Sequence, residues 1–464
     1  TEAGDVVVEA GPDPAWAEIG YYALRRAIRA LAGLSESGGT PRDWGSATAE
    51  AKQGLADVFS KRVGNEDATQ RRVRLSPEDR RFGAAEALRW AITRASEQGR
   101  GKRVIVAVDD LHHVDGASRN AFADAVSEPP LVPSLLVVGY APGFDPGFPA
   151  SAAARVLTGL PVSLVTRLFA ESGTRGAPSL TGARAISPLY LDQLLRFTRE
   201  QGHGAPSRLA DIIALRVERL PADARRLLQA IAVLGDDATG ETTLPLLPNE
   251  IDIVEALSVL SRAGMVDETD GKLRTTHPLV REVVLATIPA AVRRELHGAA
   301  ADVCEEAGAP PEVLALHAYY AHNAFQALIL LERVSGLAAG RGDIAGSILA
   351  LRRCLELARR ELVRGELDDP MRAVLIFSRK LGDALAQAGQ FTDAEGVLRE
   401  ALDMTGPSGG DRARVLATLA QVARGRERPQ EAQSYFREAL ELATRAGAKD
   451  LVASLEDMRR AIDE

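Results

Sequence analysis

Near the N-terminus, largely apolar runs alternate with segments whose apolar residues recur at helical spacing. The apolar runs predict short strands at residues 5–10, 103–108 and 134–141. The helical spacing predicts helices at about 15–31, 47–63, 77–98 and 117–127. Because strands alternate with helices and are apolar on both faces, this part is predicted to be a parallel α/β sheet.

Short helices dominate from about residue 160 onward. They are predicted near 160–173, 188–202, 207–220 and 221–235, with proline or serine at or next to each start. The stretch "IDIVEALSVLSRAGMVDETDGKLRTTHP" then predicts a helix that ends at Gly264, a strand, an Asp-Gly turn and a second strand. A helix followed by a two-stranded ribbon is the outline of a winged helix.

The last third of the chain is helical and contains an internal repeat. A small, a large and a small residue recur at offsets of four and three, in the triplets Ser347, Leu351 and Cys354, then Ala394, Leu398 and Ala401, then Ala432, Phe436 and Ala439. Small residues let two helices approach closely while the large residue fills the groove between them. The pattern therefore predicts tetratricopeptide-like helical hairpins that present a surface to a protein partner.

Composition narrows the classes of function. The chain has 464 residues, 46% of them hydrophobic, 26% charged and only 5% aromatic, which is typical of a mostly helical globular protein. A net charge of −8 argues against nucleic acid as the general partner. Cys304 and Cys354 are expected to pack in cores. No apolar run is long enough to span a bilayer and no secretion signal is evident, so a cytoplasmic location and no membrane partner are predicted.

The candidate chemistry lies in "RVIVAVDDLHHVDGAS", residues 103–118. A parallel strand delivers its last residues to the carboxyl edge of the sheet, where such folds bind ligands. Asp109 could hold Mg²⁺ through water and Asp110 could orient an attacking water. A buried strand that simply ends in solvated carboxylates has the same pattern, so both interpretations stay open at this stage.

Two other chemistries are less well matched by this segment. His112, His113 and Asp115 do not have a spacing that places three metal donors on one side, and no further cluster accompanies them. No nucleophile arrangement is evident elsewhere in the chain. We expect neither a metal site built from these histidines nor covalent catalysis.

The order of these features resembles a known family, the signal-transduction ATPases with numerous domains (STAND). The segment "VIVAVDDLHHVDGAS" is similar to their second acidic motif, Walker B, here at residues 103–110. The segments "ISPLYLDQLLRFTREQG", "RLPADARRLLQAIAVLG" and "LRTTHPLVREVVLATIP" resemble the helical arm and winged helix that follow in that family, before its tetratricopeptide repeats. More weakly, "EAGPDPAWAEIGYYALRRAI" resembles bacterial proteins in which such an ATPase follows a serine/threonine kinase domain.

The resemblance assigns roles to four residues. Asp109 matches the acid that holds Mg²⁺ through water, and Asp110 matches the catalytic residue that orients water. Pro188 matches a proline that packs near the adenine, although a proline at a helix start is an equally good interpretation. His277 matches a winged-helix histidine that senses the nucleotide phosphates, whereas a hydrogen-bonded histidine at a strand-to-helix junction is its structural alternative.

The chain departs from the family pattern at three places. No G-x-x-x-x-G-K-[ST] loop occurs in the sequence, so we expect the chain to begin just after that loop and the sheet to lack a middle strand. Ala141 and Pro142 stand where relatives have Arg-Pro, and Ile186 stands where they have glycine. ATP or ADP with Mg²⁺ is expected in an intact parent, and none of them is expected to bind this chain tightly.

Taken together, these features predict four domains. Residues 1–158 are expected to form a partial P-loop ATPase domain, 159–240 a helical arm, 241–290 a winged-helix-like domain and 291–464 the repeats. The predicted function is a nucleotide-dependent signal-transduction regulator with a protein-binding repeat scaffold. Because the phosphate loop is missing from the sequence, we expect this chain not to hydrolyse ATP. The alternative is a degenerate, non-enzymatic interaction scaffold. DNA binding by the winged helix is not expected, because its candidate recognition helix carries Asp252 and Glu255 against one base, Arg262.

Overall fold

The computed structural model describes residues 4–463 apart from 14, 16, 36, 60–75, 100, 172–184, 202–204, 270 and 407–408. The protein is mostly helical, with a small parallel sheet near its N-terminus and tetratricopeptide-like helical repeats at its C-terminal end. It divides into two compact units. The first comprises Thr1–Asp13, Glu18–Pro149 and Pro310–Glu464, and the second comprises Pro14–Ala17 and Ala150–Ala309. The predicted division into four domains stays a prediction.

The sheet of the first unit has three parallel strands. They are β1 (Val6–Ala10), β2 (Val104–Val108) and β3 (Ser134–Val138), paired in that order. Val106 in the central strand lies opposite Val8 on one side and Leu136 on the other. Consecutive strands are therefore direct neighbours, and the gap expected in the middle of the sheet does not fall between any of these three strands.

Only one face of this sheet is buried along its length. Val8 and Val106 lie in the core, whereas Leu135 and Val137 on the other face are 56% and 48% exposed. The predicted parallel sheet is present, with one face covered and the other left partly exposed among the described residues. Apolar composition gives no information on which face a helix covers, so the strand pattern alone could not separate the two arrangements.

Four helices accompany the sheet, namely α1 (Tyr22–Ala32), α2 (Ala49–Val58), α3 (Pro77–Gln98) and α4 (Gly116–Ser127). Helix α3 begins where predicted, because Ser76 and Asp79 form a reciprocal capping box around Pro77. Helix α1 begins later than predicted. Tyr21 has a left-handed backbone with φ of 59°, which prevents the helix from extending further toward the N-terminus.

The second unit contains a run of short elements. They are β4 (Leu160–Pro161), α5 (Val162–Glu171), β5 (Ala185–Ile186), α6 (Pro188–Gln201), α7 (Leu209–Glu218), α8 (Ala222–Leu234) and α9 (Gly240–Thr243). The predicted helices are present, but the antiparallel pairing of β4 with β5 was not predicted. Two-residue strands have no detectable periodicity, so the sequence pattern could not indicate them.

The predicted helix and ribbon follow in the same unit. They are α10 (Ile253–Arg262), β6 (Val266–Thr269) and β7 (Lys272–Thr275), and the strands pair antiparallel with Val266 opposite Thr275. Helices α11 (Pro278–Thr287) and α12 (Ala290–Glu306) complete the unit. Helix α10 starts at Asp252, whose carboxylate accepts the amides of Val254 and Glu255.

Eight helices form the repeat region of the first unit. They are α13 (Pro311–Ala321), α14 (Ala324–Gly340), α15 (Ile344–Arg364), α16 (Pro370–Gln387), α17 (Phe391–Met404), α18 (Gly410–Gly425), α19 (Pro429–Arg445) and α20 (Lys449–Asp463). Each of these helices packs against the next one in the chain. The structure thus has the succession of helical hairpins that the repeat pattern predicted.

The small and large residues of the repeat pattern lie in the interior of the array. In α17, Ala394, Leu398 and Ala401 are all buried. Leu398 packs over Gly382 of α16, where an added Cβ would lie 2.6 Å from the Leu398 Cγ atom. The glycine therefore provides the close approach between α16 and α17 that the pattern requires.

Two glycine substitutions in this hairpin should have opposite effects. Gly382→Ala should lower the free energy of unfolding by about 1 kcal/mol, because overpacking against Leu398 outweighs the gain in helix propensity. Gly396→Ala should raise that free energy by about 0.5–1 kcal/mol. Gly396 lies at an exposed position of α17, and the space around an added methyl group is open. Urea denaturation of the two variants measures both. Equal effects of the same sign would contradict the close packing described.

Candidate functional site

The first two carboxylates of the acidic segment lie at the carboxyl end of β2, as expected for a parallel strand. The amide of Asp109 donates to Ala10 at the end of β1 (3.1 Å), and its side chain is exposed. The Asp109 Oδ1 atom accepts the amide of Asp110 (2.9 Å). Gly139, just beyond β3, comes so close that an added Cβ would lie 2.6 Å from this oxygen. Asp109 is thus held over the edge of the sheet by its neighbours.

Asp110 has an unusual backbone. Its φ is 48° and its ψ is 43°, in the left-handed region that few residues other than glycine, asparagine and aspartate adopt. The conformation turns the chain into a short 3₁₀ helix over Leu111–His113. The amide of Leu111 donates to the Gly139 carbonyl (2.8 Å), which fixes the turn to β3. An aspartate here therefore satisfies a backbone requirement, whatever its chemistry.

The two histidines stack beside this turn. Their ring centroids are 4.1 Å apart, and Nδ1 of His112 accepts the amide of Ala141 (3.3 Å). Within the described residues, no group of three or more His, Cys, Asp or Glu side chains could hold a metal ion. The histidines thus have a structural arrangement, and we continue to expect no metal site built from them.

Asp115, the third carboxylate of the segment, is buried and structural. It caps α4 by accepting the amide of Ser118 (2.9 Å), and it also accepts the amides of Tyr21 (2.9 Å) and Tyr22 (3.1 Å) at the start of α1. The pKa of Asp115 is raised, because the effect of burial outweighs that of the hydrogen bonds from Ser118 and Tyr21, which lower it. Asp115 therefore joins α1 to α4, a role that the spacing in the sequence did not indicate.

The other two predicted site residues belong to the second unit. Pro188 is the first residue of α6 and is exposed. His277 caps α11, with its Nδ1 accepting the amide of Leu279 (3.0 Å). Both positions agree with the structural alternatives given above, a helix-start proline and a hydrogen-bonded histidine. Asp109 and Asp110 lie in the first unit, so the four residues do not belong to one compact body.

The residues at the edge of β2 fit only part of a Mg²⁺-nucleotide site. Asp109 offers an exposed carboxylate oxygen, the ligand type that Mg²⁺ prefers. The sequence contains no phosphate-binding loop of the G-x-x-x-x-G-K-[ST] type, which would supply the amide cradle, a lysine and a hydroxyl. The chain as given therefore carries one half of the donor set that such a site needs.

A groove in the repeats is a further feature that the sequence analysis did not identify. Helices α16, α18 and α20 line a cavity of about 440 Å³, which we call the repeat groove. Its polar and apolar lining includes Arg379, Asp383, Gln387, Arg414, Gln421 and Leu451. The small-large-small triplets of the sequence identify the side of a helix that packs in the interior. Most groove residues lie on the first helix of each hairpin, and these helices do not contain the triplet, so the sequence pattern could not indicate the groove.

Two arginines in the repeat groove are already paired. Arg379 contacts Asp383 (3.2 Å) and Arg414 contacts Asp411 (3.1 Å). Burial raises the pKa of Asp383, while Arg379 and a hydrogen bond from Thr418 lower it. The groove thus combines charged, amide and apolar side chains, which suits a polypeptide better than a single small apolar ligand.

Both cysteines are buried and free, as the sequence predicted. Burial raises the pKa of the Cys304 thiol to about 12, and the same cause raises that of Cys354 to about 12. Since the thiolate is the reactive form, neither residue is suited to nucleophilic chemistry at neutral pH.

The backbone at Asp110 permits a direct test of whether conformation or charge decides stability there. Asp110→Gly and Asp110→Asn should leave the free energy of unfolding within about 0.5 kcal/mol, since both residues tolerate a left-handed backbone. Asp110→Val should lower it by about 1–2 kcal/mol, because a β-branched residue is strained at positive φ. Chemical denaturation measures all three. A tolerated valine would contradict the left-handed turn.

Comparison with known proteins identifies the repeats. Residues 373–445 match the tetratricopeptide repeat family. No curated protein matches the chain. Among solved structures, it is similar to a STAND protein with a tetratricopeptide repeat sensor from Pyrococcus horikoshii, at 14% identity and a TM-score of 0.35, over 97% of this chain and 76% of that one. The chain therefore carries tetratricopeptide repeats, from α16 through α19 at least.

Proposed function

We propose that this chain is a STAND-type signal-transduction regulator, in which the repeats bind a protein partner and the α/β part derives from a nucleotide switch. The order of the acidic motif, the arm, the winged-helix segment and the repeats supports the STAND assignment. The match of residues 373–445 to tetratricopeptide repeats supports protein binding. A cytoplasmic location and a bacterial, kinase-associated parent stay predictions; no described helix is long and apolar enough to cross a membrane.

The observation that carries the proposal is the repeat groove, most of whose lining lies within the matched segment 373–445. Gln387 can offer an amide donor and acceptor to a peptide backbone, and Gln421 lines the same groove. Arg379 and Arg414 can exchange their own acidic partners for an acid of the ligand. Leu451 adds apolar surface at one end of the groove. The proposed partner is therefore an extended polar peptide segment that carries at least one acidic group.

For the α/β part, we propose that nucleotide binding belongs to an intact parent. There, Asp109 would hold Mg²⁺ through water, and Asp110 would orient the attacking water. Pro188 would pack near the adenine and His277 would sense the phosphates. Because this chain supplies half of the donor set, we expect neither tight binding of ATP or ADP nor ATP turnover.

The second candidate function is a non-enzymatic interaction scaffold. The absence of a phosphate-binding loop from the sequence favours it. Nucleic acid remains a partner that we do not expect, since Arg262, the basic residue of α10, lies 3.6 Å from Glu255 of the same helix. The two candidates share the repeat groove and differ in the role of Asp109 and Asp110.

A bulky side chain in the repeat groove should weaken peptide binding. Peptides would be selected from a random dodecapeptide library on the full chain, and their affinities measured by fluorescence anisotropy. Gln421→Trp should weaken binding at least about tenfold by filling the groove between α16 and α20. Gln433→Trp, the same exchange at an exposed position of α19 outside the groove, should leave the affinity unchanged. Selected peptides should be rich in Asp or Glu. Failure to select any binder, or equal sensitivity to the two variants, would contradict the proposal.

Calorimetric titration with Mg²⁺ and ATP tests the nucleotide proposal. We expect a dissociation constant of about 1 mM or weaker, with no difference between the unmodified chain and Asp109→Asn. Steady ATP turnover that Asp110→Asn abolishes would overturn the expectation of inactivity. Such a result would show that the edge of β2 forms a complete site without the loop.

A further inference from the structure

The repeats contain another groove besides the repeat groove. Helices α15, α16 and α17 line a cavity of about 550 Å³, which we call the second groove. Its bottom is formed by Leu355, Leu381 and Leu385, which are 4%, 2% and 1% exposed. Its charged lining residues are Arg352, Glu356, Arg359, Asp393 and Glu400. The second groove therefore has an apolar bottom and a charged mouth.

The two grooves lie on opposite sides of α16. Arg379 and Asp383 line the repeat groove, whereas Leu381 and Leu385 line the second groove. Because each residue of an α-helix turns the chain by about 100°, positions two apart point about 160° away from each other. A ligand in one groove therefore leaves the other open, and the second groove is a separate candidate site.

Two ion pairs join α15 to α17 across the second groove. Arg352 pairs with Asp393 (3.9 Å), and Arg359 pairs with Glu400 (2.6 Å). The two arginines are seven positions apart in the chain, and so are the two acids, so α15 and α17 run in the same direction along the groove. Seven helical residues span about 10 Å. The two ion pairs are therefore separated by about two helical turns.

The wall of the groove has an opening between these two ion pairs. Gly396 follows Asp393 by three positions in α17, and Leu355 follows Arg352 by three positions in α15, so the glycine and the leucine occupy matching positions. A Cβ added to Gly396 would lie in open space. We call this opening the window. It gives a side chain from outside access to the apolar bottom of the groove.

The ion pairs beside the window can adjust to a ligand at low cost. Their four side chains are 41–61% exposed, and ion pairs between exposed side chains contribute little to stability. The aliphatic stems of Arg352 and Arg359 can cover apolar surface while their charged ends stay in water. An apolar side chain in the window would therefore pack against these stems and the leucines without breaking a buried ion pair.

The lining of the second groove carries one more acid than base. Arg352 and Arg359 pair with Asp393 and Glu400, which leaves the exposed Glu356 as the excess negative charge.

The nearby groups do not neutralise this charge at the mouth. Glu356 hydrogen-bonds to the Tyr319 side chain, which is a neutral donor. Arg353, which lies over the Tyr319 ring, does not line the groove. A cationic group from a partner is therefore the electrostatic complement of this mouth.

We propose that the second groove binds an amphipathic helix of a partner protein, which inserts one apolar side chain through the window and places a lysine or arginine against Glu356. The apolar bottom selects the anchor side chain, and the excess acid selects the basic one. A helix is the fitting shape because α15 and α17 run in the same direction, so a third helix can lie along the groove between them. This site goes beyond the proposed function and does not rest on the repeat groove.

Selection from a helical library tests the proposal. A three-helix scaffold protein with one randomised helix face would be depleted on Gly396→Leu, which removes binders of other surfaces, and then selected on the unmodified full chain. We expect binders whose randomised face carries one large apolar residue with lysine or arginine within about one helical turn of it. Their affinities would be measured by fluorescence anisotropy.

Four variants determine where the selected helices bind. Gly396→Leu fills the window and should weaken binding at least about tenfold. Glu356→Gln keeps the size of the side chain but removes its charge, and should weaken binding about fivefold or more. Gly336→Leu is the matched control, because it adds the same side chain at an exposed position of α14 with open space around it. Gly336→Leu and Gln421→Trp, which fills the repeat groove, should leave the affinity unchanged.

These variants separate the second groove from the repeat groove. A loss of acidic-peptide binding in Gln421→Trp concerns the repeat groove alone, whereas a loss of helix binding in Glu356→Gln concerns the second groove alone. Glu356→Gln also keeps the test decisive if Gly396→Leu does not fold. Recovery of no binder, binders with an acidic face, an affinity that Glu356→Gln does not change, or binders that Gln421→Trp weakens would each overturn the proposal.

Discussion

The turn between α14 and α15, residues 341–343, lies close to Gly20 and Gly116 of the α/β part. This contact is the one on which the first compact unit depends. The α/β part of this unit ends at residue 149 and its repeats begin at residue 310, so residues 150–309 of the second unit separate the two parts along the chain. Any side chain at either glycine would occupy the space of Arg341 or Asp343. The atoms in the way are the ends of these two side chains. Asp343 is buried and its carboxylate caps α15, so a methyl group at Gly116 would disturb that cap.

The same contact gives the acidic segment, residues 103–118, a second structural role. Its first two carboxylates, Asp109 and Asp110, face the edge of the sheet, where a nucleotide would bind in an intact parent. Its third carboxylate, Asp115, organises the surface on which the repeats dock. Six residues thus connect a candidate ligand site to the attachment point of the repeats. Only a few residues of chain separate this docking surface from Asp110. The left-handed backbone of Asp110 is followed by Leu111, whose amide donates to Gly139 just beyond β3.

Much of the architecture follows from the sequence pattern. The three apolar strands, the ribbon after α10 and the buried triplets such as Ala394, Leu398 and Ala401 are present, because apolar periodicity records which residues enter a core. The later start of α1 was not predictable in this way. Tyr21 and Tyr22 donate their amides to Asp115, which is more than ninety positions away in the chain, and no local pattern records such a partner.

The candidate sites show the same division. The position of Asp109 and Asp110 at the end of β2 followed from the strand, since the carboxyl end of a parallel strand is a defined place. The repeat groove and the contact of the turn 341–343 with Gly20 and Gly116 could not be predicted, because both are formed by elements that are far apart in the sequence. Pro188 and His277 were identified by resemblance. Both lie at helix starts in the structure, and their contacts with a nucleotide stay predictions.

The central claim is that the contact of the turn 341–343 with Gly20 and Gly116 joins the repeats and the α/β part into one cooperative body. Native-state hydrogen exchange of Gly116→Ala tests it most directly, with Gly336→Ala as the control at an exposed position of α14 that has open space for a methyl group. The account predicts that Gly116→Ala increases exchange in α1, α4 and α15 together, whereas Gly336→Ala leaves all three unchanged. An increase confined to α4 would contradict it.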